Sequence, residues 1–414
     1  MRSSQGTTLA DPRVAATLVR PLRQTASVML LLWTSGLSLL CWLWLALGQG
    51  FFWRTDLRLP PHRPAPARWP RVAVVVPARD EAAVLPLSLP GLLAQRYPGR
   101  CEVILVDDHS TDGTAEVARK LATDGGLPLT VSTPPPLPPG WTGKLWALRH
   151  GVELAGGAEL LLLTDADIAH GPDLLAALVA GAEAERLDLV SQMARLRTET
   201  GWERLIVPAF VYFFAQLYPF RWSNRPGART AASAGGCTLV RRAALERAGG
   251  IAAIRGAVID DVSLARAVKG SGGRTWLGLA ERSPELRVLS VRPYPGLAPL
   301  WRMVSRSAYA QLRHSPALLV VTVLGLAMVY LVPVAATVLG LVAGRPVPLA
   351  LGAAAWALMA ATFLPMVRYY GRPHPAALLL PFTALLYLLM TLDSAVQHYR
   401  GRGAAWKGRT YGAS

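Results

Sequence analysis

A run of four leucines that ends in paired carboxylates is the feature that most constrains this chain. Leu160–Leu163 is apolar at every position, which is typical of a strand buried on both faces of a parallel sheet. The run ends at Thr164, and Asp165 and Asp167 follow at a spacing of two. Side chains at i and i+2 of an extended backbone lie on one face, so both carboxylates can reach one ligand.

The place of this carboxylate pair predicts a metal site. In α/β folds, ligands bind beyond the carboxyl ends of the parallel strands. Two neighbouring carboxylates repel each other unless a cation lies between them, and Mg²⁺ and Mn²⁺ prefer oxygen ligands of this kind. The alternative is that Asp165 and Asp167 only cap the helix that follows.

The pattern around the leucine run predicts an α/β domain. Short apolar strands are expected at 72–76, 102–106, 129–132, 160–163 and 187–192, with helices at 85–94, 115–122, 144–154 and 174–184. Strands that alternate with helices form a mostly parallel sheet with right-handed crossovers. The sequence therefore predicts a Rossmann-like fold for the centre of the chain.

Long apolar runs flank this centre and predict a membrane protein. Residues 28–48 have spanning length, about 20 residues, and further apolar runs cover 317–342, 349–366 and 376–392. A cleaved signal peptide is the alternative for the first run, but its length and the leader before it favour a retained anchor. The stretch 297–312 carries arginines beside apolar residues, as interfacial helices do.

These patterns give a predicted organisation in seven parts. They are a basic segment (1–27), a transmembrane anchor (28–49), a linker rich in Pro and Arg (50–70), the α/β domain (71–290), an amphipathic interfacial segment (291–315), a C-terminal transmembrane region of about three apolar segments (316–396) and a basic tail (397–414). One span before the domain and three after it would place the basic tail across the membrane from the domain. Basic segments prefer the cytoplasmic side, where the domain is also expected. One apolar segment is therefore a candidate for a re-entrant or interfacial position that does not cross the membrane.

Composition limits the partners. The 414 residues are 52% hydrophobic and 17% charged, and 43 Lys and Arg against 26 Asp and Glu give a net charge of +17. In a membrane protein, this excess favours contact with anionic lipid and basic segments on the cytoplasmic side. We expect a multi-pass protein of the cell (inner) membrane with its α/β domain facing the cytoplasm. No zinc-finger, RRM or KH motif supports a nucleic-acid partner.

Five motifs in a fixed order carry a family resemblance. They read VAVVVPARDEA, VILVDDHSTDGT, GWTGKLWALRHG, TDAD and IDD. Together they resemble the family 2 glycosyltransferases, whose fold is the GT-A type of α/β domain. The apolar runs, the WKGR tail and the segment AYAQLRHSP make the chain most similar to the hopanoid-biosynthesis-associated glycosyltransferases, and more distantly to the ceramide glucosyltransferases. The resemblance implies sugar transfer from a nucleotide sugar, a UDP-sugar, to a lipid acceptor, with a hopanoid-type lipid as the implied acceptor.

The resemblance also assigns the donor side of the site. It implies that the nucleotide sugar contacts Pro77, Ala78, Arg79, Glu81, Asp108, Lys144 and Asp165. Carboxylates can accept hydrogen bonds from the nucleobase and the ribose, and a lysine at a helix start suits a diphosphate. Asp165 and Asp167 match the DxD motif that binds a divalent cation, Mg²⁺ or Mn²⁺. The alternatives are a turn and helix cap for Asp108, a structural role for Glu81 and a solvated surface position for Lys144.

Asp260 and Asp261 match the family's acidic pair, which is usually Glu-Asp. Asp261 would be the general base that takes the proton from the acceptor hydroxyl, and a single displacement would invert the configuration at the anomeric carbon. The alternative is that both acids only stabilise the first turn of a helix. The resemblance and the small side chains place Gly235 and Gly236 beside the acceptor.

The segment QLRH supplies two further acceptor-side candidates, Gln311 and Arg313. It matches the Q-x-x-R-W element of processive synthases only in part, because the spacing is one residue short and the tryptophan is missing. This departure favours a single transfer to a lipid. A processive polysaccharide synthase and a non-catalytic membrane scaffold with a glycosyltransferase-like fold remain as alternatives.

Overall fold

A computed structural model describes residues 12–123, 125–401, 405–406 and 409–410. The strands are β1 (Val72–Ala78), β2 (Cys101–Asp107), β3 (Leu129–Ser132), β4 (Leu160–Leu163), β5 (Ile168–His170), β6 (Leu189–Met193), β7 (Thr238–Arg241), β8 (Thr275–Leu279), β9 (Val288–Ser290), β10 (Ala405–Trp406) and β11 (Arg409–Thr410). The helices are α1 (Pro12–Leu47), α2 (Leu85–Leu93), α3 (Thr114–Ala122), α4 (Gly143–Leu154), α5 (Leu174–Ala184), α6 (Gly201–Leu217), α7 (Phe220–Ser223), α8 (Arg242–Arg247), α9 (Asp260–Gly270), α10 (Leu297–Gln311), α11 (Pro316–Leu326), α12 (Val332–Val342), α13 (Pro346–Tyr369) and α14 (Leu380–Tyr399).

A seven-stranded sheet lies at the centre of the domain, in the order β3-β2-β1-β4-β7-β6-β8. The strands β3, β2, β1 and β4 run parallel, and β6 and β8 are also parallel. Only β7 runs antiparallel to its two neighbours. The predicted mostly parallel α/β sheet is confirmed. A separate antiparallel pair, β5 with β9, lies beyond the end of β4.

The four leucines of β4 show why the sheet is buried on both faces. Leu160 and Leu162 belong to one apolar core, with residues of α2, α3 and α5. Leu161 and Leu163 belong to a second core on the opposite face, with residues of α4, α8 and α9. Alternate side chains of a strand point to opposite faces, so a strand between two helical layers must be apolar throughout.

The apolar helices form a third core with the helical part of the domain. Four helical segments are long and apolar enough to cross a membrane among the described residues: Val28–Leu47, Pro316–Val342, Pro346–Tyr369 and His374–Tyr399. Trp42 of α1, Tyr212 of α6 and Phe363 of α13 share this core. The prediction of apolar helices on both sides of the domain is confirmed. The aromatic stretch of α6 joins the helices to the domain.

The segment expected to be a linker packs against the domain. Leu59 is buried, and the carbonyl of Leu57 accepts a hydrogen bond from the Leu279 amide at 2.9 Å. The carbonyl of Arg58 accepts a bond from the Trp276 indole at 2.7 Å. The proline-rich composition correctly predicts the absence of helix and strand in this segment. The segment nevertheless packs over β8 and is not a flexible linker. The side chains of the basic tail beyond residue 401 lie outside the described residues.

Candidate active site

The carboxyl ends of β1, β2 and β4 meet at one edge of the sheet. Ala78 pairs with Asp107, and Val75 pairs with Leu163. The residues that follow each strand therefore emerge side by side, and Asp165 lies two residues after the end of β4. The parallel register explains why motifs that are distant in sequence converge here.

Lys144 joins two acidic residues from different parts of the chain. Its ammonium lies 2.8 Å from Asp165 Oδ1 and 3.0 Å from Asp260 Oδ2. Thr142 caps α4 by accepting a hydrogen bond from the Leu145 amide, which fixes Lys144 in the first turn. Burial acts to lower the pKa of Lys144, but the two carboxylates outweigh it and raise the pKa above its usual value. Lys144 therefore stays charged and holds the start of α9 against the end of β4.

Asp261 lies in the first turn of α9 with both carboxylate oxygens engaged. Oδ1 accepts a hydrogen bond from the Val262 amide at 2.8 Å, and Oδ2 accepts one from the Gly235 amide at 3.1 Å. Burial, and then the neighbouring charge of Asp260, raises the pKa of Asp261 to about 6. A carboxylate with this pKa is ionised at neutral pH and is more basic than an exposed aspartate.

The two glycines lie close to the acids, in different surroundings. A Cβ on Gly235 would lie 3.4 Å from Lys144 Nζ and 3.6 Å from Asp261 Cβ, in the space beside the base. A Cβ on Gly236 would come within 3.0 Å of Ile168 Cδ1. Gly235 therefore keeps the space beside Asp261 open, whereas Gly236 allows close packing against β5.

Arg292 forms the second ion-pair group, and sequence reasoning missed it. Its Nε donates to Asp167 Oδ2 at 2.8 Å, and one Nη donates to both Glu81 oxygens at 2.7 and 2.9 Å. Burial acts to lower the pKa of Arg292, but Asp167 and Glu81 outweigh it and raise the pKa. Arg292 lies in no motif and follows Asp167 by 125 residues, so only the pairing of β5 with β9 brings them together.

The turns after β1 and β2 face each other and carry the predicted nucleotide contacts. Arg79 donates to the Asp108 carbonyl and its guanidinium lies 3.6 Å from Asp108 Oδ2. The Ala78 carbonyl accepts the Asp108 amide at 2.8 Å. Asp80, in the first turn, has a positive φ of 50°, which a side chain such as Asp tolerates better than most. These contacts hold the two turns as one unit beside the cleft.

The predicted residues therefore fall into three adjoining groups. One cleft is lined by Pro77, Lys144, Asp165, Gly235, Asp260 and Asp261. Glu81 and Asp167 join through Arg292, and Arg79 and Asp108 occupy the facing turns. Loss of solvation raises the pKa of Asp165, and the charge of Asp167 raises it further, against the opposing effect of Lys144. The first two groups therefore interact electrostatically.

The QLRH residues lie at the end of α10. Gln311 Nε2 donates to the Tyr218 hydroxyl at 2.5 Å, and the Arg266 guanidinium lies 5.9 Å from the Tyr218 ring. This chain of contacts links α10 to α6 and to α9, the helix that carries Asp261. Arg313 is exposed in the following turn, where its φ is 53°.

The donor set at the cleft fits a hard divalent cation. Within the described residues, no three His, Cys, Asp or Glu side chains form a complete metal-binding group. Asp165 and Asp167 each use one oxygen for a basic side chain. Mg²⁺ is commonly held by one or two carboxylates together with substrate phosphates and water. These two groups bring together five acids and two basic residues, Lys144 and Arg292, so a cation would find several carboxylates nearby. The acids are Glu81, Asp165, Asp167, Asp260 and Asp261.

Known proteins resemble the central part of the chain. Residues 73–249 match the model of the family "Glycosyl transferase family 2". A PGL/p-HBAD biosynthesis glycosyltransferase of Mycobacterium tuberculosis is 34% identical over 122 residues, which are 29% of this chain and 45% of that protein. The undecaprenyl-phosphate 4-deoxy-4-formamido-L-arabinose transferase of Aeromonas hydrophila is 34% identical over 139 residues, 32% of this chain and 39% of that protein.

A third curated relative and one solved structure are also similar to this chain. The dodecaprenyl-phosphate galacturonate synthase of Rhizobium johnstonii is 35% identical over 121 residues, 29% of this chain and 34% of that protein. The mannosyltransferase PcManGT from Pyrobaculum calidifontis, solved in complex with GDP-mannose and Mn²⁺, superposes with a TM-score of 0.49 and 23% identity, over 88% of this chain and 99% of that chain. This chain matches less than half the length of each of the three curated relatives. The predicted resemblance is confirmed for the central region, where residues 73–249 match the glycosyl transferase family 2 model.

Proposed function

We propose that this protein is a membrane-bound, inverting glycosyltransferase that moves a sugar from a nucleotide sugar, most simply a UDP-sugar, to a lipid. The observation that carries the proposal is the partly buried carboxylate of Asp261, held by two amides in a cleft shared with Lys144 and Asp165. A base, a phosphate-binding cation and a metal-binding carboxylate are the groups that an inverting, metal-dependent glycosyl transfer uses.

The donor side is assigned to the first strand ends. The facing turns with Pro77, Ala78, Arg79 and Asp108 can hold the nucleoside, because carboxylate and carbonyl oxygens accept hydrogen bonds from base and ribose. Lys144, at the start of α4, can contact the diphosphate. A divalent cation on Asp165 and Asp167 would neutralise the charge that develops on the leaving diphosphate.

The transfer step uses Asp261 as the base. An acceptor hydroxyl oxygen attacks the anomeric carbon while the bond from that carbon to the phosphate oxygen breaks. The hydroxyl proton passes to a carboxylate oxygen of Asp261, and the electron pair of the broken bond stays on the diphosphate. One displacement on the face opposite the leaving group inverts the anomeric centre.

The acceptor is proposed to be a lipid that carries a hydroxyl group, such as a hopanoid-type lipid. Support comes from the four apolar helices that pack with the domain and from Asp261, because a hydroxyl acceptor requires a base. A polyprenyl phosphate is the second candidate, because two relatives are named for undecaprenyl- and dodecaprenyl-phosphate products. A phosphate monoester is already anionic at neutral pH and needs no base. The domain is proposed to face the cytoplasm of a cell (inner) membrane.

Labelling of membranes tests the proposal. Membranes that contain the protein are incubated with Mn²⁺ and a panel of radiolabelled UDP-sugars, with GDP-mannose as a further donor, and lipids are then extracted. We expect label in the lipid fraction, lost in Asp261→Asn. Labelled lipid that resists mild acid indicates a glycoside of a hydroxyl, whereas acid-labile label indicates a sugar phosphate.

The same experiment distinguishes the other functions. Label that stays in insoluble polymer would indicate a processive polysaccharide synthase. Absence of label with every donor, together with no Mn²⁺-dependent UDP binding in calorimetry, would indicate a non-catalytic scaffold and refute the proposal.

A further inference from the structure

Three arginines converge on one tyrosine outside the cleft. The guanidinium carbon of Arg58 lies 4.5 Å from the centre of the Tyr369 ring, that of Arg282 lies at 5.7 Å and that of Arg195 at 5.9 Å. The arginines come from the segment before β1, the loop after β6 and the loop after β8. We call these four residues the arginine cluster. None of them lines the cleft that holds Asp261.

Several hydrogen bonds hold the arginine cluster in place. Arg58 Nη1 and the Tyr369 hydroxyl both donate to the Ala280 carbonyl, at 2.6 and 3.1 Å. Arg282 donates to the Arg368 carbonyl at the end of α13, at 3.2 Å. The buried Tyr369 ring attracts cations through its π face. Hydrogen bonds therefore fix the side chains of Arg58 and Arg282, and Arg195 lies near the same ring.

Among the described residues, the arginine cluster has no acidic partner within salt-bridge distance. Across the part of the chain that the structure describes, none of the three arginines forms a salt bridge, although many other arginines of the domain do. The acid next in sequence, Glu281, lies 4.0 Å from Arg63 instead. Like charges held close together repel, so the missing component is an anion that several guanidinium groups can share.

The position of the arginine cluster in the fold indicates which kind of anion it binds. Tyr369 ends one candidate membrane span, and His374 begins the next. The connection between them, Tyr370–Pro373, therefore lies where lipid headgroups would meet the domain. Arg282 and Arg368 are exposed, so a headgroup can approach from the solvent or lipid side. Guanidinium groups bind phosphate oxygens in pairs with matched geometry.

We propose that the arginine cluster is a binding site for the phosphate group of an anionic phospholipid. The site is independent of glycosyl transfer, since it needs only the fold and the apolar helices. Occupancy would neutralise the cluster and attach the outer edge of the sheet, near β8, to the membrane surface. The domain would then have a fixed tilt relative to the bilayer.

Lipid binding by the full-length protein tests the site. The protein, purified in a neutral detergent, is titrated with phosphatidylglycerol or with phosphatidylcholine of the same acyl chains, and bound lipid is counted by native mass spectrometry. The test variant is Arg195→Gln with Arg282→Gln. The control is Arg345→Gln, an exposed arginine at the opposite end of α13. Arg282→Gln alone serves if the double variant does not fold.

We expect phosphatidylglycerol to bind about tenfold more tightly than phosphatidylcholine, which corresponds to roughly one charge-assisted hydrogen bond. The double variant should lose this preference, and the control should keep it. Equal binding of the two lipids, or an unchanged preference in Arg282→Gln and in the double variant, would overturn the proposal. Full displacement of phosphatidylglycerol by millimolar inorganic phosphate would also overturn it, because the site would then serve a soluble phosphate.

Discussion

Replacing Asp261 by asparagine should abolish transfer and at the same time stabilise the protein. Burial and Asp260 raise the pKa of Asp261 from 3.8 to about 6. The folded state therefore binds this proton more tightly than the unfolded state, and stability is lost as the pH rises from about 4 to about 6. Above pH 6 the ionised carboxylate costs the fold up to about 3 kcal/mol, from about two pKa units at 1.36 kcal/mol each.

Asparagine removes this cost because it cannot ionise. It cannot accept hydrogen bonds from both the Val262 and the Gly235 amides, since one oxygen becomes an NH₂ group, and the lost bond costs about 1 kcal/mol. The net gain is about 1–2 kcal/mol at pH 8, or a rise in Tm of a few degrees. Transfer should fall by about 10²–10⁴-fold, as expected for the loss of a general base.

The neighbouring residue provides a matched control with the opposite sign. Asp260→Asn leaves Lys144 with Asp165 as its remaining acidic partner, because the 3.0 Å contact with Asp260 is lost. Removal of one partner from a largely buried ion pair destabilises by about 1–3 kcal/mol here, below the value for a fully buried pair. Thermal unfolding of both variants, followed by tryptophan fluorescence at pH 8, gives the comparison. An Asp261→Asn protein that is less stable than wild type, or that keeps its transfer activity, would refute the reasoning.

Further outcomes follow from the same geometry. The value of kcat/KM should fall as the pH drops below about 6, because the base becomes protonated; a profile that is flat from pH 5 to 8 would exclude this base. Arg292→Gln should raise the affinity for Mn²⁺ in the absence of donor, measured by calorimetry, because Asp167 and Glu81 lose a competing cation. Chelation by EDTA should abolish UDP binding in the same assay, and unchanged binding would remove the metal from the donor site. Leu162→Ala should destabilise by about 2–5 kcal/mol, whereas the exposed Leu87→Ala should change the Tm little.

Local patterns were sufficient to predict the elements that carry the site. Strand β4 matches the leucine run at both ends, and α5 matches its predicted bounds. An all-apolar run followed by acids fits few structures other than a central strand. The apolar residues must be buried on both faces of the sheet, and the strand must end where the acids are exposed to solvent. The same local logic placed Lys144 in the first turn of α4 and Asp261 in the first turn of α9.

Long-range pairing could not be predicted in this way. Arg292 reaches Glu81 across 211 residues and Asp167 across 125, and no periodicity connects positions so far apart. The arginine cluster likewise draws one residue from each of four separate segments. Nothing in the local sequence of the proline-rich stretch around Leu59 predicted that it packs over β8.

The amino-acid sequence by itself determined which segments are strands, which helices are apolar enough for a membrane, and which acids stand at strand and helix ends. These properties depend on neighbouring residues and on burial of each element. Only the tertiary structure decided which basic side chain neutralises which acid, and which arginines form no salt bridge with the described residues. That outcome depends on the register of β5 with β9 and on the packing of α13 against the domain, because ion pairs require atoms to meet within a few ångströms.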